Sequence, residues 1–234
     1  MIRLICEFRC ENPVALLAEL EALRRQFGPQ EAEAFRSLAE GEDDALALSM
    51  LFESESDISA LLEHIREFPA LQQAFNTGAL ELYKQELFQL DGDKWVPSRG
   101  YEPRIMWPAR GGIRIVILGT YAENPEMRAL TAQEIAETRR EPGCLSYAWY
   151  ENLEEPNHLA LLELWSDAVQ YDAHWYGRTE TVEYRGDSGR VPTKTKRGRA
   201  AREFYRHQEF DLQYGRLLPK NPFDYSQTVV WPSS

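Results

Sequence analysis

Short runs of alternating apolar residues are separated by stretches whose apolar residues recur every three or four positions. Residues 2–8 predict a β-strand. After an Asn-Pro break, Val14–Phe27 carries an apolar stripe and predicts a helix that ends at Gly28-Pro29. Two strands around an acidic turn, a second helix and a final strand-like run follow. The resulting order, β-α-β-β-α-β, is that of a ferredoxin-like unit.

The second half of the chain repeats this pattern. A strand at Ile113–Tyr121 and a helix at Glu126–Arg140 are predicted to precede a Pro142-Gly143 turn. Four short segments recur in the same order, pairing Ile2–Ile5 with Ile113–Val116, Glu11–Pro13 with Glu123–Pro125, Leu46–Phe52 with Leu159–Trp165, and Leu82–Lys84 with Phe204–Arg206. We therefore predict an α+β fold of two ferredoxin-like repeats.

Each such sheet has helices on one face only, which leaves the other face to be covered. We expect the two repeats to pack sheet to sheet as an internal pseudo-dimeric α/β barrel. The first repeat is assigned to residues 1–92, a linker to 93–112 and the second repeat to 113–234. The second repeat contains a basic loop insertion at 177–200 and a C-terminal tail expected to pack through Phe223, Tyr225 and Trp231.

Composition narrows the function classes. The chain has 234 residues and a formal net charge of −12, which argues against general nucleic-acid binding because that binding requires positive charge against phosphates. No apolar run approaches the roughly 20 residues that span a bilayer. The first residues enter a strand pattern without signal-peptide features, and the three cysteines are too few for a disulfide framework. We expect a cytoplasmic protein without a membrane partner.

Motifs for common cofactors are missing from the sequence. There is no phosphate-binding glycine loop, no dinucleotide fingerprint and no nucleophile elbow. His158, His174, His207 and Glu163 lack metal-ligand spacing, so no metal site is predicted.

The stretch Arg139-Arg140-Glu141-Pro142-Gly143-Cys144-Leu145-Ser146-Tyr147, followed by Glu163-Leu164-Trp165-Ser166 and His174, resembles the antibiotic biosynthesis monooxygenase family. The resemblance is clear over about Ile113–Trp175 and weak over Ile2–Leu90. It implies ferredoxin-like units paired as dimeric α/β barrels. Members include cofactor-free oxygenases of anthrones and quinols, haem-degrading enzymes and proteins with no settled reaction.

The resemblance places Trp165 and Tyr171 in a substrate pocket, where stacked aromatic rings suit a planar polyketide. His174, nine residues after Trp165, is the candidate base or polar pocket wall. These three are the candidate catalytic residues. A core role is the alternative for each, since Phe52 holds the equivalent place to Trp165 in the first repeat and His64 is the plausible counterpart of His174.

Three further residues are candidates for substrate binding. Tyr147, Trp149 and Leu145 share one strand face by alternation, and Tyr150, Ala148 and Ser146 share the other. Either face could border the pocket, and Tyr147 and Trp149 are the candidates. Glu163 lies in a strand otherwise made of Leu and Ala, so it is either a candidate base or an ion-pair partner of Arg114.

Two departures from the family pattern bear on activity. Leu161 stands where anthrone oxygenases carry an Asn, and residues 117–120 lack the Asn of the haem-degrading members, so haem cleavage is disfavoured. The resemblance therefore implies a cofactor-independent monooxygenase that oxidises an aromatic or polycyclic phenol or quinol with O2. Alternatives are a non-catalytic small-molecule-binding or structural protein and a cyclase or isomerase. Expected partners are a small aromatic substrate, O2 and a second copy of the chain in a homodimer.

Overall fold

The computed structural model describes residues 1–84, 87–91, 94–97, 111–120, 127–179 and 201–220. The chain forms two compact units. Unit 1 comprises Met1–Ser37, Glu42–Gln85 and Gln208–Ser226, and unit 2 comprises Leu38–Gly41, Glu86–His207 and Gln227–Ser234.

Unit 1 is an antiparallel sheet with helices. Its elements are β1 (Ile2–Arg9), α1 (Val14–Phe27), β2 (Glu31–Ser37), β3 (Ala45–Phe52), α2 (Glu55–Glu63), α3 (Pro69–Thr77), β4 (Ala79–Lys84), β11 (Glu209–Gln213) and β12 (Arg216–Pro219), with a single 3-10 turn at Ile65–Glu67. The strand order is β12-β11-β4-β1-β3-β2. The central order β4-β1-β3-β2, with every neighbour antiparallel, is that of a ferredoxin-like sheet.

Local sequence explains where the first helix lies. The Asn12 side chain accepts a hydrogen bond from the Val14 N–H at 3.2 Å, and Gly28 ends the helix in the left-handed conformation at φ 55°. The stripe of Leu16, Leu20 and Leu23 is buried. Each such side chain stabilises the fold by about 1.5–3 kcal/mol, which fixes this face against the sheet.

From its third strand onward, unit 2 has the β-α-β-β-α-β order that also underlies unit 1. Its elements are β5 (Leu87–Asp91), β6 (Lys94–Pro97), β7 (Ile113–Thr120), α4 (Met127–Thr138), β8 (Cys144–Asn152), β9 (His158–Trp165), α5 (Ala168–Thr179) and β10 (Ala201–Arg206). The strand order is β8-β9-β7-β10-β5-β6, again antiparallel throughout.

The two ladders share their register. Ile2 pairs with Phe52 at one end of β1–β3, and Ile113 pairs with Trp165 at the same end of β7–β9. Strands β4 and β10 each contain the same kind of side-chain hydrogen bond, from a Tyr hydroxyl to a Glu two residues earlier. Tyr83 donates its hydroxyl to Glu81 at 2.6 Å in unit 1, and in unit 2 Tyr205 donates to Glu203 at 2.6 Å.

The prediction of an α+β fold with an antiparallel sheet and ferredoxin-like strand order is confirmed. Two repeats packed as a pseudo-dimeric barrel stay a prediction. The predicted helix Val14–Phe27 has the bounds found in the structure. The helix predicted over Glu126–Arg140 ends earlier, at Thr138, and Glu126 lies outside the described residues. Division of the chain at residues 92 and 113 stays a prediction. In the expected loop at 177–200, residues through Thr179 continue α5, and residues 180–200 lie outside the described residues. Phe223, Tyr225 and Trp231 of the expected tail lie outside them too.

Candidate functional site

The predicted site residues lie on one face of the unit 2 sheet. Glu163 of β9 pairs with Ile115 of β7 and with Tyr147 of β8, and Trp165 pairs with Ile113. Directly paired residues share a face, and side chains alternate along each strand. Trp165, Glu163 and Tyr147 therefore project to the side where Ile135 of α4 and Ala168 of α5 complete the buried core cluster.

Trp165, Tyr171 and His174 meet in this core. The His174 and Trp165 ring centroids lie 4.6 Å apart at an interplanar angle of 36°. Tyr171 lies 6.3 Å from Trp165 and 6.5 Å from His174. Trp165 is fully buried, with Tyr171 2% and His174 8% exposed. The spacing in the sequence thus brings the three candidate catalytic residues into one aromatic cluster.

Tyr147 joins the same cluster, whereas Leu145 does not. The ring of Tyr147 lies 5.9 Å from that of His174 in an edge-on arrangement. A bulge between Cys144 and Ser146 breaks the alternation of β8, so that Cys144 packs against the core and Leu145 is 60% exposed. The expectation that Leu145 shares the face of Tyr147 and Trp149 is wrong for this reason.

Buried carboxylates accept hydrogen bonds from the aromatic side chains. The Trp165 indole N–H donates to Glu163 Oε2 at 3.0 Å. Glu134 Oε1 accepts from the Tyr147 hydroxyl at 2.5 Å and from the Trp149 indole N–H at 3.3 Å. These hydrogen bonds restrict the orientations of the three rings that donate them.

The hypothesis that Glu163 pairs with Arg114 is wrong. Arg114 is paired with Leu164, the neighbour of Glu163, so the two side chains leave opposite faces of the sheet. Trp165 supplies the hydrogen bond that Glu163 accepts instead.

His174 has a carboxylate partner that the sequence did not single out. Its Nδ1 lies 2.7 Å from Oε2 of Glu141, in the turn between α4 and β8. The His174 side chain is 6% exposed and that of Glu141 is 29% exposed. A carboxylate at this distance holds an imidazole in one orientation, and the second ring nitrogen is left for other chemistry.

Sequence reasoning missed both Glu134 and Glu141 as site residues. Glu141 is part of the Glu-Pro-Gly-Cys turn, so the sequence indicates only a role in chain reversal for it. Glu134 belongs to a buried stripe of α4 together with Thr131, Ile135 and Thr138. Polar residues at core-facing helical positions are the signal that could have found it, because such groups need buried partners.

Burial raises the pKa of two ionisable groups, one on β8 and one on α5. Desolvation raises the pKa of the Cys144 thiol to about 11, and the charges of Glu163 and Glu141 add to this. Desolvation also raises the pKa of Asp172 to about 6. Asp172 Oδ1 is buried and has no hydrogen-bond partner in the described part of the chain.

Unit 1 carries no equivalent of this cluster at the matching positions. Phe52 and Met50 stand at the register positions of Trp165 and Glu163. His64 follows α2, its side chain is 48% exposed, and it contacts Glu67 at 2.8 Å. His64 therefore lacks the buried setting that surrounds His174.

Among the described residues, no group of three or more His, Cys, Asp or Glu side chains is arranged to hold a metal ion. No helix of the described ranges is long and apolar enough to cross a membrane.

Structural comparison aligns this chain with several solved structures at low identity. A "putative monooxygenase" from Lactobacillus acidophilus NCFM aligns over 98% of each chain with 9% identity and a TM-score of 0.32. An aldoxime dehydratase in complex with butyraldoxime aligns over 90% of this chain and 79% of its own, with 13% identity and a TM-score of 0.48. An anthrone oxidase-like protein aligns over 87% and 90%, with 12% identity and a TM-score of 0.30.

Sequence comparison finds one relative and one family model. An uncharacterized protein of Synechocystis is 34% identical over 65 residues, which are 26% of this chain. The matched region spans 44% of that relative, less than half of its length. The model of the antibiotic biosynthesis monooxygenase family matches residues 123–175, which include Glu134, Glu141, Trp165 and His174. Residues 123–175 thus match the antibiotic biosynthesis monooxygenase family, as the motifs of this stretch predict.

Proposed function

We propose that unit 2 is a cofactor-independent monooxygenase that oxidises an aromatic or polycyclic phenol or quinol with O2. The observation that carries this proposal is the meeting of Trp165, Tyr171 and His174, with Glu141 bonded to His174, inside the segment that matches the monooxygenase family.

Each residue has a role that its surroundings support. The His174 imidazole accepts the phenolic proton, since its Nδ1 is engaged by Glu141 and its second nitrogen serves as base. Trp165 and Tyr171 present aromatic faces and edges to a planar substrate. Tyr147, Trp149 and Glu163 form the wall behind them and orient the substrate.

The reaction balances with O2 as the only oxidant. Loss of the phenolic proton gives an electron-rich anion, which passes electrons directly to O2. With an anthrone, the CH2 group becomes C=O, one oxygen atom enters the product and the other leaves as water with the two hydrogens of that carbon. The chain itself needs only to bind, orient and deprotonate the substrate in a site that excludes bulk water.

We also propose that the chain is a tandem repeat that packs as an internal pseudo-dimeric barrel, with the working site in the second repeat. The shared strand order, the shared Ile2–Phe52 and Ile113–Trp165 register and the matching Tyr–Glu bonds of β4 and β10 support a duplication. A cytoplasmic location and further association into a homodimer belong to this proposal.

A binding or structural protein on the same scaffold is the second candidate. It is favoured by the burial of Trp165 and Tyr171, which at 0% and 2% exposure pack as core residues do. Under this reading the cluster stabilises unit 2 and has no reaction to perform.

Oxygen uptake separates the candidates. The purified protein is mixed with a panel of anthrones and quinols without added flavin or metal, and O2 consumption is recorded. We expect uptake with at least one compound and a loss of about 100-fold or more in His174→Ala, since a general base contributes about 10²–10⁴-fold. Binding without uptake would favour the second candidate. A product with the oxygen count of its substrate would indicate a cyclase or isomerase.

A further inference from the structure

The turn from Arg139 to Cys144 is tied to several neighbouring elements. Its backbone continues the end of α4, with Glu141 N–H donating to Thr138 O at 3.0 Å, and it closes on itself where Cys144 N–H donates to Glu141 O at 3.2 Å. Ser166, directly after β9, donates its N–H to Gly143 O at 2.8 Å. The turn is therefore held in one place relative to β9 and α4.

Gly143 brings this turn against α5. Its φ is +79°, in the left-handed region that favours glycine. A Cβ at this position would lie 2.5 Å from Cβ of Gln170 and 2.8 Å from Oγ of Ser166, closer than real atoms approach. Only glycine permits this contact, and the contact sets the distance between the turn and the helix that carries His174.

The carboxylate of Glu141 reaches His174 from this fixed turn. Oε2 lies 2.7 Å from Nδ1, while the imidazole packs 4.6 Å from Trp165 and 5.9 Å from Tyr147. The orientation of the imidazole is thus restricted by the carboxylate on one nitrogen and by the aromatic rings that pack around it.

We propose that Glu141 is a positioning residue that fixes the tautomer of His174. The His174 Nδ1–H donates to Glu141, and Nε2 stays unprotonated as the proton acceptor. In this proposal the Glu-Pro-Gly turn has a second role besides chain reversal. It positions the carboxylate that selects the tautomer of His174. The tautomer is a property of the folded chain, and its catalytic use rests on the proposed function.

Other polar groups around the imidazole are already engaged. Glu163 of β9 accepts the Trp165 indole N–H at 3.0 Å, and Glu134 of α4 accepts the Tyr147 hydroxyl at 2.5 Å. The Tyr171 ring of α5 lies 6.5 Å from His174, and burial keeps the Cys144 thiol of β8 protonated. Glu141 is the carboxylate that contacts the imidazole directly.

The test is a measurement of the His174 tautomer by long-range 1H–15N NMR at pH 8 on the full chain labelled at its four histidines. His174→Gln assigns the signal by its loss. We expect a neutral ring protonated at Nδ1. A neutral ring protonated at Nε2, or a doubly protonated ring, would overturn the proposal, and neither result depends on activity. Unchanged signals of the other three histidines show that His174→Gln is folded.

Variants of Glu141 extend the test. We expect Glu141→Ala to lose the single Nδ1–H tautomer, Glu141→Gln to retain it because the amide oxygen still accepts, and Glu137→Ala, at an exposed carboxylate of α4, to leave it unchanged. An unaltered tautomer in Glu141→Ala, with native folding shown by the other histidine signals, would refute the role.

Kinetics on an active substrate distinguishes this inference from the proposed function. Glu141→Ala should lower kcat by about 10-fold or more and leave KM within about twofold, while Glu141→Gln recovers most of kcat. Absence of oxygen uptake with the expected tautomer would remove the monooxygenase proposal and leave the tautomer assignment in place. Oxygen uptake that is insensitive to Glu141 would remove the positioning role alone.

Discussion

The imidazole of His174 lies 4.6 Å from the indole of Trp165, ring centroid to ring centroid, and the indole N–H is turned to Glu163 at 3.0 Å. Two residues nine positions apart thus share one buried cluster in which each ring has a carboxylate on its polar nitrogen. This arrangement couples stability to the site, because removing the indole leaves the buried carboxylate of Glu163 without this hydrogen bond.

Trp165→Phe should destabilise the protein by about 1–3 kcal/mol, because Glu163 then loses the hydrogen bond that compensates its burial. The measurement is urea unfolding followed by circular dichroism. Unit 1 provides the matched control, since Phe52 and Met50 occupy the corresponding positions. Combining Trp165→Phe with Glu163→Met reproduces that pair and should regain part of the loss. A double variant no more stable than the single one would contradict this explanation.

Tyr147→Phe should lower the free energy of unfolding by about 1.5–3 kcal/mol. The reason is that the Tyr147 hydroxyl donates to the buried carboxylate of Glu134 at 2.5 Å. A double-mutant cycle with Glu134→Gln isolates the pairwise contribution. We expect a coupling free energy above about 0.5 kcal/mol. Additive losses in the cycle would show that the two side chains stabilise the fold independently.

Asp172→Asn should stabilise the protein above pH 6. Burial raises the pKa of Asp172 to about 6 in the folded chain, above the value of about 3.9 for an unfolded Asp, so the folded state binds more protons between these values. Stability from this group is therefore greatest at low pH and falls as pH rises through 6. The variant removes that dependence in urea unfolding at pH 4 to 8.

Glu63→Gln is the matched control for Asp172→Asn, because Glu63 is an exposed helical carboxylate. It should leave the pH dependence of unfolding unchanged. Equal effects of the two substitutions would show that overall charge, and not the burial of Asp172, governs the dependence.

Cys144 should react slowly with iodoacetamide at pH 8. Its pKa of about 11 leaves roughly one thiol in a thousand as the reactive thiolate at that pH. Mass spectrometry of peptides after timed alkylation gives the rate, and protein in urea gives the reference in which burial is removed. Native and denatured rates within about threefold of each other would contradict the shift, since the expected difference follows the thiolate fraction.

Much of the fold follows from local sequence. The stripe of Val14–Phe27 and its Gly28 end predict α1 because propensity, periodicity and chain reversal agree there. The Trp165–His174 spacing likewise predicts their meeting, since a strand end and the next helix are adjacent. The exposed position of Leu145 could not be predicted, because a bulge depends on how β8 pairs with β9. The sequence of one strand does not contain that information.

The carboxylates of the site could not be predicted from the sequence for a related reason. Glu134 and Glu141 acquire their roles from residues 13 and 33 positions away, through hydrogen bonds to Tyr147 and His174. Tertiary packing selects such partners, and an acidic residue on a helix or in a turn reads as solvated until its neighbours are known.

The most direct test of the monooxygenase account is product analysis after reaction under 18O2 with an anthrone and no added cofactor. The account predicts one 18O atom per product molecule from the wild-type chain, and less than about one hundredth of that rate with His174→Ala. Product that carries oxygen only from water, or incorporation that His174→Ala leaves unchanged, would contradict it.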